Sequence, residues 1–68
     1  MLVRRFLVPI PAIAYVRRIV EAYEGLAVVV SPERRRGLVE WWIAPGREVE
    51  ADTLAQALAA EVRLQEIS

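Results

Sequence analysis

Lysine, histidine, cysteine and asparagine are all absent from this 68-residue chain. The lack of cysteine excludes a disulfide framework, a thiolate metal site and thiol catalysis. Acid-base chemistry is left with carboxylates, two tyrosines and three hydroxyls, and no sequence context marks any of them as reactive. We therefore predict no catalytic, cofactor-binding or metal-binding residue, and we expect that the chain is not an enzyme.

Charge of one sign is also missing, because nine arginines balance nine carboxylates. A neutral chain gives no bulk electrostatic attraction to DNA or RNA, so there is no strong nucleic-acid signal. The use of arginine alone for positive charge, with few thermolabile residue types, is typical of a thermophilic or GC-rich source.

Glycine is sparse, and the three glycines each fall at the end of a predicted element, which excludes a glycine-rich phosphate loop. Glu48 and Asp52 are spaced i, i+4 and could share a divalent ion. An acidic first turn that complements the helix dipole accounts for them better.

Apolar residues are in excess. Ala, Val, Ile, Leu, Met, Phe, Trp and Gly make up 39 of the 68 residues, against about 45–50% in typical domains. A chain this short buries only about 60% of the surface that it exposes when unfolded. The excess predicts a homo-oligomer, a dimer or higher, formed by residues 1–68 as one small domain.

The first residues, "MLVRRFLVPIPAIAYV", have a positive start, an apolar run and an A-x-A-like segment, as secretory and twin-arginine signals do. The uncharged run from Phe6 to Val16 contains two prolines and is too short to span a bilayer. We therefore expect a cytoplasmic protein without a membrane segment.

The pattern predicts a first strand from Leu2 to Ile10, which Pro9 and Pro11 end. A helix follows, with Ile13, Val16, Val20 and Tyr23 on one face, and Gly25 closes it as a left-handed cap. Arg17 and Glu21 are spaced four apart on this helix.

The apolar run from Leu26 to Val30 predicts a buried strand that ends at Ser31-Pro32. Ser31 to Gly37 then reads as a hairpin loop, and a strand runs from Leu38 to about Ala44.

Beyond Gly46 a second helix is predicted, with Val49, Ala57 and Leu58 among the residues of its inner side. The tail after Val62 fits either a short last strand or a fraying helix end.

The order strand, helix, strand, strand, helix, with a possible last strand, predicts an α+β fold. It favours a ferredoxin-like split sheet, with both helices on one face and the other face bare.

Alternation on the third strand places Val39, Trp41 and Ile43 toward the helices. Glu40 marks the opposite face, which carries Leu38 and Trp42. The first strand lies beside the third in this topology, so Phe6 or Leu7 would approach Trp42 and Arg4 or Arg5 would pair with Glu40. The sequence does not decide this parity, because an arginine falls on each face.

The candidate interaction surface comprises Trp42, Leu38, Phe6, Arg34, Arg35 and Arg36. Trp42 has two interpretations: a self-association surface, which the apolar excess favours, or a platform on which bases stack. The three arginines form either a solvated hairpin tip or a contact for phosphate, RNA or carboxylates.

The runs "EAYEGLAVVV" and "RGLVEWWIAPG" resemble a small family of bacterial proteins defined by a domain of unknown function, with Glu21, Tyr23, Gly25 and Gly37 as the matching positions. This resemblance implies an architecture and no assigned activity. A looser resemblance is to ACT-type regulatory domains, which bind amino acids between subunits. Their ligand loop carries glycine, and the corresponding loop here reads "PIPAIA".

We therefore expect a small, non-enzymatic, oligomeric domain that associates through the open sheet face. The alternatives are an ACT-like domain that binds a small metabolite between subunits and a weak binder of single-stranded RNA.

Overall fold

The predicted strands and helices follow one another along residues 1–67, the part of the chain that the computed structural model describes. The strands are β1 (Leu2–Leu7), β2 (Ala27–Glu33), β3 (Leu38–Ile43) and β4 (Gln65–Ile67). The helices are α1 (Ile13–Glu21) and α2 (Glu48–Glu61), and single 3-10 turns occur at Ile10–Ala12 and Arg34–Arg36. The α+β class is confirmed, and the tail that the sequence left open ends in a strand.

The four strands form one antiparallel sheet in the order β2-β3-β1-β4. The two central strands pair along their whole length, from Leu2 opposite Ile43 to Leu7 opposite Leu38. Strands β2 and β4 are the edges. This order makes the first and third strands central neighbours, as expected.

One face of the sheet carries both helices and the core. Strand β3 contributes Val39, Trp41 and Ile43, all fully buried, in agreement with the prediction. Helix α1 adds Ile13, Val16 and Val20, and helix α2 adds Ala51, Leu54, Ala55 and Leu58. These side chains belong to one cluster, so the opposite face of the sheet is left uncovered by the helices.

Strand β2 differs from its prediction. It continues through Ser31 and Pro32 to Glu33, with a break in register between Val30 and Glu33. Proline lacks the N–H of a central strand, but an edge strand or a bulge tolerates it. The hairpin connection therefore shrinks to the turn Arg34–Arg36 and Gly37.

The first strand and the first helix are both shorter than predicted. Strand β1 ends at Leu7 rather than Ile10, although the Val8 N–H still donates to the Gly37 carbonyl at 2.9 Å. Helix α1 ends at Glu21, and Tyr23 lies exposed in the turn beyond it. Gly25 adopts the left-handed conformation, but it leads into β2 instead of capping the helix.

Helix α2 buries Leu58, as predicted, but differs from the prediction at other positions of its inner side. Val49 was expected to face inward and is 82% exposed, and Ala57 is also exposed, whereas Ala51 and Ala55 are buried. An alanine-rich helix has little contrast between its sides, so the sheet beneath it decides which alanines are covered. Within residues 1–67, neither this helix nor α1 has the length and apolar character needed to cross a membrane.

Candidate interaction surface

The side of the sheet away from the helices, called the open face below, is organised in three rows across the strands. Pairing sets Val28, Trp42 and Val3 side by side in the first row. The middle row is formed by Val30, Glu40, Arg5 and Ile67. The last row contains Glu33, Leu38, Leu7 and Gln65.

The first row is apolar and exposed. Val28 is 57% exposed, Trp42 is 43% exposed, and Val3 is exposed to a similar degree. Three adjacent large apolar side chains form a contiguous exposed patch, unlike the single exposed apolar residues that are common on protein surfaces. The structure thus places Trp42 on the open face, as the alternation of β3 predicts.

A shallow groove of about 200 Å³ adjoins this row at the end of the sheet near Gly25. Val28, Trp42 and Ala44 line it from the sheet, and Leu26 and Met1 complete its apolar walls. The groove gives the first row a concave border into which an apolar side chain of another molecule can fit.

Glu40 is the polar centre of the open face. Its carboxylate accepts a hydrogen bond from the Trp42 indole N–H at 3.0 Å and another from Arg5 Nε at 3.0 Å. The Trp42 indole N–H and then the Arg5 guanidinium hold the pKa of the Glu40 carboxyl below its ordinary value. Both partners therefore favour a charged Glu40. The hydrogen bond from its N–H holds the Trp42 indole in place against Glu40.

These contacts show which alternate residues of β1 lie on the open face. They correct the prediction for one site residue. Phe6 belongs to the core and is 1% exposed, with its ring 4.8 Å from that of Trp41. Leu7, not Phe6, shares the open face with Leu38, and Arg5, not Arg4, pairs with Glu40. Phe6 is therefore excluded from the interaction surface.

Arg4 lies on the helix side of the sheet, where an unpaired guanidinium would be costly. Its Nε and Nη2 donate to Glu66 on β4 at 2.9 and 2.5 Å, and its Nη1 reaches Asp52 on α2 at 3.3 Å. The guanidinium also lies 5.5 Å from the centre of the Phe6 ring. Hydrogen bonding to Glu66 raises the pKa of Arg4 and lowers that of Glu66.

These ion pairs border a second open cavity, of about 220 Å³, between β1, β4 and α2. The charged residues that line it are Arg4, Asp52 and Glu66, and they already pair with one another. Gln56 on α2 also donates to Asp52 at 2.8 Å. The polar groups of this cavity are thus engaged in holding β4 and α2 to the central strand.

The three arginines of the turn are exposed and lie away from Trp42. Arg36 pairs with Glu33 at 3.3 Å, while Gly37 closes the turn in the left-handed conformation. The turn precedes Leu38, which is four residues from Trp42, or about 14 Å along an extended strand. The structure therefore brings Leu38 into the open face but does not bring Arg34, Arg35 and Arg36 next to the indole.

Residues suited to metal binding do not converge: within residues 1–67, no three acidic side chains lie close enough to hold an ion. Asp52 is engaged by Arg4 and Gln56 rather than by Glu48. Tyr15 donates to Glu61 and so joins the two helices, and this hydrogen bond raises the pKa of the Tyr15 hydroxyl.

The sequence pattern does not indicate Val3 and Val28 as members of the open face, and it leaves Arg5 as one of two alternatives. The uninterrupted apolar run of β2 was interpreted as a strand buried on both sides. Val29 is indeed buried, but Val28 is exposed on an edge strand. The run itself was the signal for the patch. An edge strand beside a bare face needs apolar residues only toward the helices, so apolar residues on both sides indicate an exposed patch.

Comparison with known proteins identifies a family and no function. No curated protein sequence matches the chain, and no solved structure matches it. The model of a family described as a domain of unknown function, DUF4911, matches residues 6–62, which include β2, β3, both helices and the last two residues of β1. The chain therefore belongs to the DUF4911 family.

Proposed function

We propose that the protein is a non-enzymatic association module whose open face packs against the open face of a second copy. The observation that carries this proposal is the exposed apolar row of Val28, Trp42 and Val3 in a domain whose helices all lie on the other side of the sheet. We infer a cytoplasmic setting, which the lack of cysteine in the sequence supports.

The charges of the open face support pairing with an identical surface. In a two-fold dimer every contact occurs twice, so a surface must be complementary to itself. Arg5 and Glu40 lie side by side in the middle row. The Arg5 of one copy can therefore approach the Glu40 of the other, and the reciprocal contact forms by symmetry.

The size of the open face is compatible with a dimer. Three strands of six or seven residues and the three-residue β4, spaced about 4.8 Å apart, cover at most roughly 20 by 20 Å, or about 400 Å² in projection. This is about half of the roughly 800 Å² that a standard interface takes from each partner, so it suits a weak dimer. Association should therefore depend visibly on protein concentration.

The other two functions have weaker support in the geometry. A base stacked on Trp42 would meet the carboxylate of Glu40, and the arginines of the turn are too distant to neutralise its phosphate. A metabolite in the cavity beside Arg4 would have to break existing ion pairs. Both remain outcomes that titration with single-stranded RNA or a metabolite panel would reveal.

The test of the proposal is Trp42→Glu, with Val49→Glu as its matched control. Both changes put a carboxylate at an exposed apolar position, but Val49 lies on α2, on the other side of the sheet. We expect Trp42→Glu to be monomeric in sedimentation, and Val49→Glu to associate like the unmodified protein. Val28→Glu, which leaves the indole hydrogen bond in place, should repeat the result of Trp42→Glu.

A monomeric unmodified protein at high micromolar concentration would overturn the proposal. So would a Trp42→Glu variant that keeps its oligomeric state and thermal stability.

A further inference from the structure

The outer edge of β2 carries backbone groups with no neighbouring strand. Leu26 accepts a hydrogen bond from the Ala44 N–H at 2.9 Å, which places even-numbered residues of this segment in the ladder to β3. Because hydrogen-bonding direction alternates along an antiparallel strand, Ala27 and Val29, which precede the break in register, direct their N–H and C=O groups outward. Residues 27–31 are also uncharged.

An apolar, uncharged edge of this kind is a template for pairing with another strand. The segment is self-complementary in the antiparallel sense, because its identical copy offers the same outward groups around Val29. The edge is thus suited to a second copy of β2, in a contact distinct from the open face.

One side chain occupies this edge. The Val29 N–H donates to Oε2 of Glu21, at the end of α1, with an N to O distance of 3.2 Å. Arg17 lies four residues before Glu21 on the same helix, but the hydrogen bond of Glu21 in the structure goes to the strand. The carboxylate occupies the Val29 N–H that an approaching strand would need for its ladder.

We propose that Glu21 blocks the free edge of β2 against pairing with the β2 strand of a second copy, so that association is confined to the open face. The bulge and Pro32 protect the far end of the same strand, where proline has no N–H to offer. Glu21 protects the middle of β2, where the strand itself has no charged residue.

The first test measures amide hydrogen exchange in Glu21→Ala, with Glu24→Ala as control, because the Glu24 side chain makes no hydrogen bond within residues 1–67. We expect exchange at Val29 to rise about 2- to 10-fold in Glu21→Ala, as loss of one such hydrogen bond implies. Exchange at Trp41, in the sheet centre, should not change. Glu21→Gln keeps an acceptor oxygen and should restore protection at Val29.

The second test measures association in the Trp42→Glu background, where the open face is disabled. Glu21→Ala should then associate with increasing concentration, whereas Glu24→Ala and Glu21→Gln stay monomeric. Equal behaviour of Glu21→Ala and Glu24→Ala in both measurements would overturn the proposal. If the unmodified protein is itself monomeric, the open-face proposal fails while this comparison still decides the role of Glu21.

Discussion

Trp41 and Trp42 are neighbours in the sequence and lie on opposite faces of the same strand. Trp41 is fully buried against Phe6, whereas Trp42 is 43% exposed and held by its edge to Glu40. The same residue type thus fills the core on one side of the sheet and forms a surface patch on the other. The difference shows that the excess apolar residues of the chain are divided between the core and the open face of the sheet.

The largest difference in the free energy of unfolding should be that between the single variants Trp41→Ala and Trp42→Ala. Trp41→Ala removes the largest core side chain and should lower the free energy of unfolding by about 3–5 kcal/mol. Trp42→Ala should cost no more than about 1 kcal/mol in dilute solution, because its ring is already half exposed. Denaturant unfolding of both variants measures the contrast, and equal losses would contradict the two-face description.

Trp41→Phe sharpens this comparison. Within residues 1–67 the buried indole N–H of Trp41 has no hydrogen-bond partner, so phenylalanine removes an unpaired donor along with part of the ring. We expect a clearly smaller loss than for alanine.

A second, smaller effect should separate two left-handed glycines. A Cβ on Gly37 would lie 2.1 Å from the Val8 carbonyl oxygen, at the junction that registers β1 on β3, whereas a Cβ on Gly46 would meet nothing within 4 Å. Gly37→Ala should cost roughly 2–4 kcal/mol and loosen the register that puts Phe6 inside and Leu7 outside. Gly46→Ala should cost only the left-handed penalty, about 1 kcal/mol. Thermal unfolding of the pair measures the difference, and similar melting temperatures would show that the junction is not rigid.

The two arginines of β1 give a third comparison across the sheet. Arg4→Ala should lower the free energy of unfolding by about 1–2 kcal/mol, because it removes the guanidinium that pairs with both β4 and α2. Arg5→Ala should cost about 0.5 kcal/mol or less, since the Arg5 side chain is 54% exposed and pairs with a single carboxylate. Urea unfolding checks the order, and a costlier Arg5→Ala would mean that the open face contributes more to folding than its exposure implies.

The smallest effect should be the response to acid. The pKa values of Glu40 and Glu66 lie below their ordinary value of 4.5, because each carboxylate accepts hydrogen bonds in the folded state. A lowered folded-state pKa contributes stability that is present above pH 4.5 and is lost as pH falls through the folded values. The melting temperature should therefore decline below about pH 4.5. Glu40→Gln and Glu66→Gln should each flatten that decline, and an undiminished decline in both variants would contradict this account.

The order of elements and the split between the two tryptophans could be predicted from the sequence, because Glu40 fixes the polarity of an otherwise apolar strand. The parity of β1 could not be predicted, since Arg4 and Arg5 are equally polar. Arg4 is accommodated on the helix side only by Asp52 and Glu66, which are distant in sequence.

The same limit applies at the edges of the fold. Pro32 ends a strand by local rules, yet β2 continues through it because the strand is an edge with a bulge. Local spacing puts Arg17 four residues before Glu21, and nothing local indicates the Val29 N–H, which the approach of β2 to the end of α1 brings to the Glu21 carboxylate.

Sedimentation of the unmodified protein beside Trp42→Glu and Val49→Glu, from low to high micromolar concentration, tests the central claim most directly. The proposal predicts a dimer or higher oligomer for the unmodified protein and for Val49→Glu, and a folded monomer for Trp42→Glu. An unmodified protein that stays monomeric throughout, or a Trp42→Glu variant that associates equally well, would contradict it.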